Sequence, residues 1–321
     1  MTIAQAAGPH GVLIVDKPAG PTSHDVVSRV RRALGTREVG HAGTLDPMAT
    51  GVLVVAVGEA TKLLAWLTDH SKVYETTVAL GVATDTLDAV GRETARVALD
   101  PGLLEALASC GTREVHPRLE AALAAERART AQVPPAYSAI QKDGVRAYAL
   151  ARRGQDVQLP PREVAVLSLV LTGCSAAPPS VSLAVEATRG YYVRALGRDL
   201  AAALGTVGHI NALRRTRSGC FTVEEATPLD APRELLATRL QALEDVAARV
   251  LPVARLTQAG CVDARHGRPV RPGDIVARAP GIAAWFDPGG AIVAIGETDQ
   301  DGAGRVKRGF VLARESPPGP G

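Results

Sequence analysis

Asp46 is the residue of this chain whose surroundings most suggest chemistry. It lies in the segment His41-Ala-Gly-Thr-Leu-Asp-Pro-Met-Ala-Thr-Gly51, and the proline after it favours extended over helical backbone. Gly43 and Gly51 flank it and allow tight turns or a close approach to a ligand. A single carboxylate on a stiff loop suits a nucleophile or a base. The competing interpretation is a surface turn in which Asp46 bonds only its own backbone.

Three further segments carry side chains that could serve the same site. KVYE places Tyr74 on an alternating strand, TRGYYVRALG places Tyr192 and Arg194 at a junction between a strand and a helix, and LRRTRSGCF supplies a basic run. The sequence offers neither a nucleotide-binding glycine loop nor a cluster of metal ligands.

The elements that must position these side chains alternate between strands and helices. Thr22 opens a helix that Gly35 ends, because Thr22 and Asp25 have capping-box spacing and the apolar residues that follow share one face. The turns are too short for many parallel crossovers, so the sequence predicts an α/β fold of the α+β type, with a mixed, largely antiparallel sheet flanked by helices. The predicted strands are 11–18, 52–58, 72–80, 164–174 and 180–188, and the predicted helices are 22–34, 101–129, 147–154 and 191–205.

Changes in composition along the chain predict how it is divided into domains and tails. Residues 1–10 are predicted to be a flexible tail, and residues 11–249 a main domain. Within that domain, paired prolines predict a surface excursion over about 128–155. Short strands and Gly/Pro turns predict a small β-rich domain over 250–314, and 315–321 are predicted to be a disordered tail.

The bulk composition limits the possible settings. A net charge of +3 over 321 residues is a mild excess, compatible with nucleic acid binding without demonstrating it. Cys110, Cys174, Cys220 and Cys261 show no CxxC spacing, so four thiols in a reducing cytosol are expected. The first residues show no basic stretch followed by a long apolar run, so no secretory signal is expected, and no stretch approaches the roughly 18 apolar residues of a membrane span. A cytoplasmic location is expected.

Five motifs in one order resemble the TruB family of pseudouridine synthases. They are DKPxGxTSxDVV, HxGTLDPxATG, KxY, GxYxR and LRRTxSGxF, and QVPPAYSAIQKDG resembles a further segment of that family. The resemblance covers about residues 11–225, and 250–313 loosely as a PUA-like RNA-binding domain. The chain departs from the family pattern at Gln141 and at Thr188 to Tyr191, positions that concern the grip on RNA.

The resemblance implies a reaction and a role for each matching residue. Family members convert uridine 55 in the T-loop of tRNA to pseudouridine, by flipping the base out, cleaving the glycosidic bond and forming a C–C bond, without a cofactor or a metal. Asp46 matches the essential carboxylate and Arg194 its partner; the alternative for Arg194 is a surface helix charge. Tyr74 matches the aromatic that stacks on the base, and Tyr192 a second substrate contact.

Two more positions match substrate contacts that have structural alternatives. Leu213 matches an apolar contact to the flipped uracil, although a core leucine is a competing interpretation. His41 matches the residue that fills the space left by the flipped base, and a structural hydrogen bond competes with that role. Tyr191 occupies a family-variable position and is expected to be structural.

The resemblance also implies how RNA is held. The excursion over 128–155 matches a loop that clamps the stem-loop of the tRNA T-arm. Basic residues that could contact the RNA backbone are Arg189, Arg214, Arg215, Arg217 and Lys142, although a basic run is often only a solvated face. The protein is expected to act as a monomer, without a membrane or an obligate protein partner.

Two other functions remain open from the sequence. One is a non-catalytic protein that binds or folds tRNA on the same scaffold, which would tolerate Asn at position 46. The other is a nucleosidase that uses Asp46 with a second carboxylate, such as Asp16 or Asp199, and releases free uracil. Neither of those two carboxylates lies in a loop comparable to that of Asp46.

Overall fold

A computed structural model describes residues 8–109, 115–138, 140–142, 144–155, 157–277 and 281–311. Within these ranges the strands are β1 (Gly11–Lys17), β2 (Val39–Ala42), β3 (Thr50–Val57), β4 (Lys72–Leu80), β5 (Val82–Thr84), β6 (Glu93–Arg96), β7 (Ala131–Gln132), β8 (Gln141–Lys142), β9 (Val145–Arg146), β10 (Arg162–Glu163), β11 (Val166–Ala176), β12 (Pro179–Ala187), β13 (Gly208–Ser218), β14 (Phe221–Thr222), β15 (Thr227–Pro228), β16 (Gln241–Ala242), β17 (Val253–Leu256), β18 (Ile275–Ala277), β19 (Gly281–Phe286), β20 (Ile292–Thr298) and β21 (Gly304–Gly309). The helices are α1 (Ser23–Leu34), α2 (Leu64–Thr68), α3 (Pro101–Ala108), α4 (Pro117–Arg127), α5 (Ala147–Arg152), α6 (Val193–Ala203), α7 (Arg233–Thr238), α8 (Leu243–Val250) and α9 (Gln258–Arg265), with short 3-10 turns at Gly58–Leu63, Val223–Glu225 and Pro272–Asp274.

One large mixed sheet organises the main domain. Its strand order is β11-β12-β4-β13-β3-β1-β15, and β14, β16 and β2 pair with β13, β1 and β3 respectively. The pairs β11/β12, β12/β4, β4/β13 and β3/β1 are antiparallel, whereas β13/β3 and β1/β15 are parallel. The predicted mixed, largely antiparallel sheet is confirmed.

The central strands are apolar on both faces because both faces are covered. Leu13 and Val15 of β1 belong to a core that also contains buried residues of α1, α3, α4 and α6. Val12 and Ile14 point the other way and pack with α8 and the C-terminal sheet. Since each fully buried Val, Leu or Ile contributes about 1.5–3 kcal/mol, this two-sided burial accounts for the continuous apolar run GVLIV.

Helix α1 begins and ends as its sequence predicts. The Thr22 side chain accepts a hydrogen bond from the Asp25 backbone, and the Asp25 carboxylate accepts one from the Thr22 backbone. Val26 and Val30 are buried on its inner face. Gly35 ends the helix with a φ of 65°, a left-handed conformation that glycine adopts without strain. The helix therefore starts at a fixed point next to the loop that carries Asp46.

The structure corrects several expectations for secondary structure and cysteine state. His41 and Ala42 lie in β2, so the loop that carries Asp46 is shorter than predicted, spanning 43–49. The stretch predicted to be helical, 101–129, contains two helices, α3 and α4, and Pro117, which lacks an N–H group, is the first residue of α4. Cys174 is disulfide-bonded, so the expectation of four thiols was wrong, and Cys220 is a free thiol. Spacing along a sequence does not reveal which cysteines come close in space.

A second, smaller sheet follows the main domain. Its order is β18-β17-β19-β20-β21, and the fully buried Trp285 lies in its core. The sheet is tied to the main domain by Glu59, whose carboxylate accepts a hydrogen bond from the Val311 backbone, and by Lys62, which donates to the Gly309 carbonyl. The second sheet is therefore fastened at its last strand. Within the described ranges, no helix has the length and apolarity that a membrane crossing requires.

Candidate active site

The loop that carries Asp46 is held from both sides. The Ser23 hydroxyl, at the start of α1, accepts a hydrogen bond from the Leu45 backbone at 2.9 Å and donates one to the Leu45 carbonyl at 3.1 Å. The Pro47 carbonyl accepts bonds from the Gly20 backbone at 2.8 Å and from the Lys17 ammonium at 3.2 Å. Asp46 therefore sits between two fixed residues. This placement contradicts the competing interpretation of an unsupported surface turn.

Arg215 braces the same loop from inside the protein. Its side chain is 1% exposed, and it donates to the Val52 carbonyl at 2.7 Å and to the Gly43 carbonyl at 3.0 Å. Gly51 lies against its backbone: a Cβ at that position would come 2.1 Å from the Arg215 carbonyl oxygen, so only glycine fits. A guanidinium buried in this way cannot reach a phosphate. The expected RNA contact of Arg215 is wrong, and the residue is a support for the loop.

Asp46 and Arg194 form a two-point ion pair. Arg194 Nη2 donates to Asp46 Oδ1 at 3.0 Å, and Nε lies 2.8 Å from Oδ2 as a charge contact without the angle of a hydrogen bond. The Arg194 side chain is 7% exposed and that of Asp46 is 31% exposed. The pair thus presents one face of the carboxylate to solvent while the guanidinium stays inside. Arg194 is not the solvated helix charge that the sequence left open.

Two backbone carbonyls complete the surroundings of Arg194. Nη1 donates to the Thr86 carbonyl at 2.9 Å, and Nη2 also donates to the Tyr137 carbonyl at 2.8 Å. Three segments far apart in sequence therefore converge on one guanidinium. A buried arginine retains its charge when a carboxylate and carbonyl oxygens surround it, so the site keeps a fixed cation beside Asp46.

The turn that provides the Thr86 carbonyl is stiffened by Asp88. The buried Asp88 accepts a hydrogen bond from the Thr86 hydroxyl at 2.6 Å, and its backbone carbonyl accepts one from the Thr84 hydroxyl at 2.7 Å. Leu87 between them has a φ of 61°, an uncommon conformation for a branched residue. The motifs in the sequence had assigned no role to this segment. Its density of Asp and Thr was the signal that could have indicated a hydrogen-bonded support.

Lys17 is a second cation near Asp46 that sequence reasoning missed. It is fully buried, and its ammonium donates to the carbonyls of Pro18 at 2.8 Å and Pro47 at 3.2 Å. Burial lowers its pKa to about 8, while the nearby negative charge of Asp46 opposes that shift. The DKP motif had been interpreted as the end of a strand. A lysine inside an apolar strand is itself an indication of a buried partner.

His41 is present as a neutral ring. Burial, together with the nearby His24 and Arg215, lowers the pKa of His41 to about 4. The two histidine rings meet edge to face with centroids 5.6 Å apart. Its Nδ1 is buried and finds no hydrogen-bond partner within the described part of the chain. A neutral, partly unsatisfied ring is able to change its contacts when a ligand arrives.

The remaining predicted contacts lie on β4, on β13 and at the start of α6. Tyr74 is half-buried on β4 and lies opposite Arg215 of β13 in the sheet register. Leu213 is 7% exposed and belongs to the main core, so the structural interpretation fits it as well as the functional one. Burial raises the pKa of the Tyr192 hydroxyl, on which both Arg194 and Asp46 also act electrostatically. Tyr192 therefore offers a protonated hydroxyl close to the pair.

Tyr191 is a structural residue, as expected. Its side chain is 8% exposed, and its hydroxyl donates to Glu126 Oε1 at 2.8 Å. Burial, together with the charge of Glu126, raises the pKa of Tyr191 well above its ordinary value. Of the two adjacent tyrosines, only Tyr192 therefore faces the ion pair.

The basic residues proposed for RNA contact are already paired with carboxylates. Arg189 lies 2.8 Å from Asp69, Arg217 lies 2.7 Å from Glu186, and Arg214 holds Asp16 through two bonds of 3.1 and 2.8 Å. The side chain of Lys142 lies outside the described part of the structure. These arginines remain at least one-third exposed, so a phosphate could exchange for the carboxylate.

The carboxylates considered for a nucleosidase are not placed as partners of Asp46. Asp16 is held by Arg214 at 2.8 Å. Asp199 lies between Arg198 at 2.7 Å and Arg129 at 3.5 Å. Because each is bound to cations other than Arg194, the structure gives no support to a mechanism with paired acids at Asp46.

Comparison with known proteins identifies the fold and the family. Residues 31–193 match the N-terminal domain of the TruB family of pseudouridylate synthases, and residues 194–256 match the C-terminal domain of tRNA pseudouridylate synthase B. The tRNA pseudouridine synthase B of Thermobifida fusca (strain YX) is 45% identical over 89% of this chain and 94% of its own length. The protein of the same name from Mycobacterium sp. (strain KMS) is 44% identical over 94% of this chain and 96% of its own.

Solved structures share the fold at lower sequence identity. A chain from a Cbf5–Nop10–Gar1 complex has a TM-score of 0.69 at 23% identity, covering 94% of this chain and 85% of that chain. A chain from an H/ACA RNP bound to a substrate RNA containing 2′-deoxyuridine has a TM-score of 0.68 at 22% identity, covering 94% and 84%. The fold and the family matches together define the class as a pseudouridine synthase, which confirms the expected enzyme class. The chain belongs to the TruB family.

Proposed function

We propose that this protein converts uridine 55 in the T-loop of tRNA to pseudouridine, with Asp46 as the essential carboxylate. The observation that carries the proposal is the ion pair between Asp46 and Arg194, which keeps a partly exposed carboxylate fixed beside a buried cation. The relatives named tRNA pseudouridine synthase B, which match nearly the whole chain, support tRNA as the substrate.

The reaction is an isomerisation in which atoms and electrons balance. The bond between N1 of uracil and C1′ of ribose breaks, and a bond between C5 and C1′ forms after the base turns. The hydrogen on C5 leaves as a proton, and N1 gains a proton. Asp46 acts on ribose C1′, on C2′ or on the base, and Arg194 holds the carboxylate in position through these steps.

The side chains around the ion pair would bind the extruded nucleotide. Tyr74 would stack on the uracil ring and Leu213 would contact its apolar edge, since both border the core next to the loop. The protonated hydroxyl of Tyr192 would donate a hydrogen bond to the substrate. The neutral ring of His41 would occupy the space that the flipped base leaves in the T-loop.

RNA would be held outside the catalytic loop by two regions and by surface arginines. We propose the segment of about 128–155 as a clamp on the T-arm, and 250–314 as a PUA-like RNA-binding domain within a catalytic domain of 11–249. Arg189 and Arg214 would exchange their carboxylate partners for phosphates. Arg214 lines a cavity of about 560 Å³ together with Arg29 and Arg32, and Asp16, Asp25 and Asp230 line the same cavity. The protein would work as a monomer in the cytoplasm, without an obligate protein partner.

The test uses an unmodified tRNA transcript labelled with tritium at uridine C5. Formation of pseudouridine releases tritium to water, whereas a nucleosidase would release free labelled uracil, which chromatography separates. The wild type should release one tritium per tRNA. A transcript with cytidine at position 55 should release none, because it lacks the uridine that reacts. Asp46→Asn should release none and still bind tRNA within about tenfold, or roughly 1.4 kcal/mol.

Asp16→Asn is the matched control for this test, because Asp16 also pairs with an arginine but not with Arg194. It should retain turnover of bound tRNA. An Asp46→Asn protein that modifies tRNA at the wild-type rate would refute the proposal and would leave the non-catalytic tRNA-binding alternative in its place.

A further inference from the structure

Gln132 is a buried polar residue that the motifs leave without a role. It ends β7, is 2% exposed, and lies at the entrance of the segment of about 128–155. Its side-chain amide contacts both backbone polar groups of Tyr192. Gln132 Oε1 accepts a hydrogen bond from the Tyr192 N–H at 2.8 Å, and Nε2 donates one to the Tyr192 carbonyl at 3.2 Å.

Tyr192 is the point at which helix α6 begins. It is the N-cap residue of that helix, and its own side chain makes no capping hydrogen bond. A helix start leaves backbone N–H groups that need partners from elsewhere, and Gln132 Oε1 provides one for the Tyr192 N–H, while the Tyr192 carbonyl also accepts hydrogen bonds from the Ala195 and Leu196 backbones. Arg194 is the second residue of the same helix. The position of the guanidinium therefore depends on where the first turn of α6 is held.

The start of the segment of about 128–155 is held in place by strand pairing and by a backbone hydrogen bond. Gln132 pairs with Arg162 in the antiparallel register of β7 and β10, and the Thr130 carbonyl accepts a hydrogen bond from the Val164 backbone at 3.0 Å. Pro134 and Pro135 that follow are buried, so this half of the segment is not the surface excursion that the sequence predicted. Gln132 therefore acts from a rigid support.

The same segment reaches α6 at two more places. The Tyr137 carbonyl accepts a hydrogen bond from Arg194 at 2.8 Å, and the Val133 carbonyl accepts one from Arg198 at 3.0 Å. Both of these arginines lie on the first turns of α6, and their acceptors flank the buried prolines. The contacts from 132 to 137 thus form one strap across the start of the helix that carries the catalytic partner.

We infer that Gln132 is a positioning residue, which holds Tyr192 and the first turn of α6 so that Arg194 keeps Asp46 aimed at the substrate. The inference rests on the proposed function, because it assigns the ion pair to the reacting site. In this role Gln132 contacts neither the ion pair of Asp46 and Arg194 nor the RNA. Its loss should lower the rate of reaction of bound tRNA and leave tRNA affinity nearly unchanged.

Gln132→Leu keeps the approximate size of the side chain and removes both hydrogen bonds. In single-turnover tritium release with excess enzyme, its rate constant should fall about 10- to 100-fold, with the Kd for tRNA within threefold of the wild type. Gln241→Leu is the matched control, because Gln241 bonds Glu225 and Arg249 and not α6. It should keep the wild-type rate.

Gln132→Glu provides a readout that a purely structural role would not change. As a carboxylate it can accept from the Tyr192 N–H but has no hydrogen for the carbonyl, whereas the protonated acid restores the donor. Burial favours the protonated acid over the carboxylate. The ratio of the Gln132→Glu rate to the wild-type rate should therefore rise as pH falls from 8 to 5. Effects of pH on groups common to both proteins cancel in this ratio.

Each outcome of these experiments decides the inference. A Gln132→Leu rate constant within threefold of the wild type would overturn the inference. A variant that lost only active protein or tRNA affinity, with an unchanged rate constant, would overturn it as well. A low Gln132→Glu rate whose ratio is flat with pH would also overturn it. If Asp46→Asn proved active while Gln132→Leu was slow, the proposed function would fail, and the effect of Gln132 would need another reacting group.

Discussion

Replacement of Arg194 tests the ion pair most directly. Arg194→Gln removes the cation from Asp46 and leaves the carbonyls of Thr86 and Tyr137 without their donors. Breaking a fully buried pair by removing one partner costs about 3–5 kcal/mol. Because the Asp46 side chain is 31% exposed, water can replace part of the lost contact. We therefore expect a loss of about 2–3 kcal/mol, or roughly 30- to 150-fold, in the rate of the chemical step.

Arg194→Lys separates the charge from the geometry of the guanidinium. A lysine keeps the cation but cannot span the four acceptors that Arg194 meets at once. We expect about one-third to one-half of the free-energy loss of Arg194→Gln, which is about 0.7–1.5 kcal/mol or roughly 3- to 13-fold in rate. A lysine variant as slow as the glutamine variant would show that the fork geometry, and not the charge, is what Asp46 requires.

The assay is single-turnover release of tritium at saturating enzyme, with the Kd for tRNA and the thermal midpoint measured in parallel. Arg118→Gln is the control, because Arg118 makes a similar two-point pair with Asp100 and does not contact Asp46. It should react at the wild-type rate. If Arg194→Gln reacted within threefold of the wild type while folded and saturated with tRNA, the ion pair would not be part of the reacting site.

Three other predictions follow from the same contacts. Arg215→Gln should lower stability by about 3 kcal/mol, because the carbonyls of Val52 and Gly43 lose their buried donor; urea unfolding measures this, and an unchanged midpoint would contradict the bracing role. The lowered pKa of His41 means that the unfolded chain binds more protons between pH 4 and 6.5, so stability falls as pH falls through that window; His41→Asn should lose less stability between pH 7 and 5 than the wild type, and equal losses would contradict the assignment. Binding of tRNA should weaken with a clear slope of log Kd against log salt, and a flat response would argue against phosphate contacts by Arg189 and Arg214.

The sequence predicted a helix or strand correctly where neighbouring residues alone determine its bounds. The capping box at Thr22, the glycine at position 35 and the apolar face between them gave both ends of α1, because helix capping depends on neighbouring residues. The continuous apolar run GVLIV predicted β1, because a short apolar run bounded by a turn is itself a local signal for a buried strand. Over 101–129 helix propensity predicted the helical character but not the start of α4 at Pro117.

The site was only partly accessible from the sequence, because its members depend on tertiary contacts. Asp46, Arg194 and Tyr192 were found through motifs, and the structure brings them together. Arg214 and Arg215 are adjacent in one basic run, yet one reaches a cavity and the other is 1% exposed. Alternation along a strand sends neighbouring side chains to opposite faces, and the segment LRRTRS had not been recognised as a strand.

The groups that sequence reasoning missed share a physical reason. The acceptors that hold Arg194 at Thr86 and Tyr137 are backbone carbonyls, which every residue has, so residue type carries no signal for them. Yet these oxygens decide whether the guanidinium stays beside Asp46 or turns towards water. Under the proposed function the Asp46 carboxylate must stay open to the substrate, so the rigidity it needs has to come from its partner. In this protein that rigidity is supplied to Arg194 from two distant loops and from the strap that Gln132 begins.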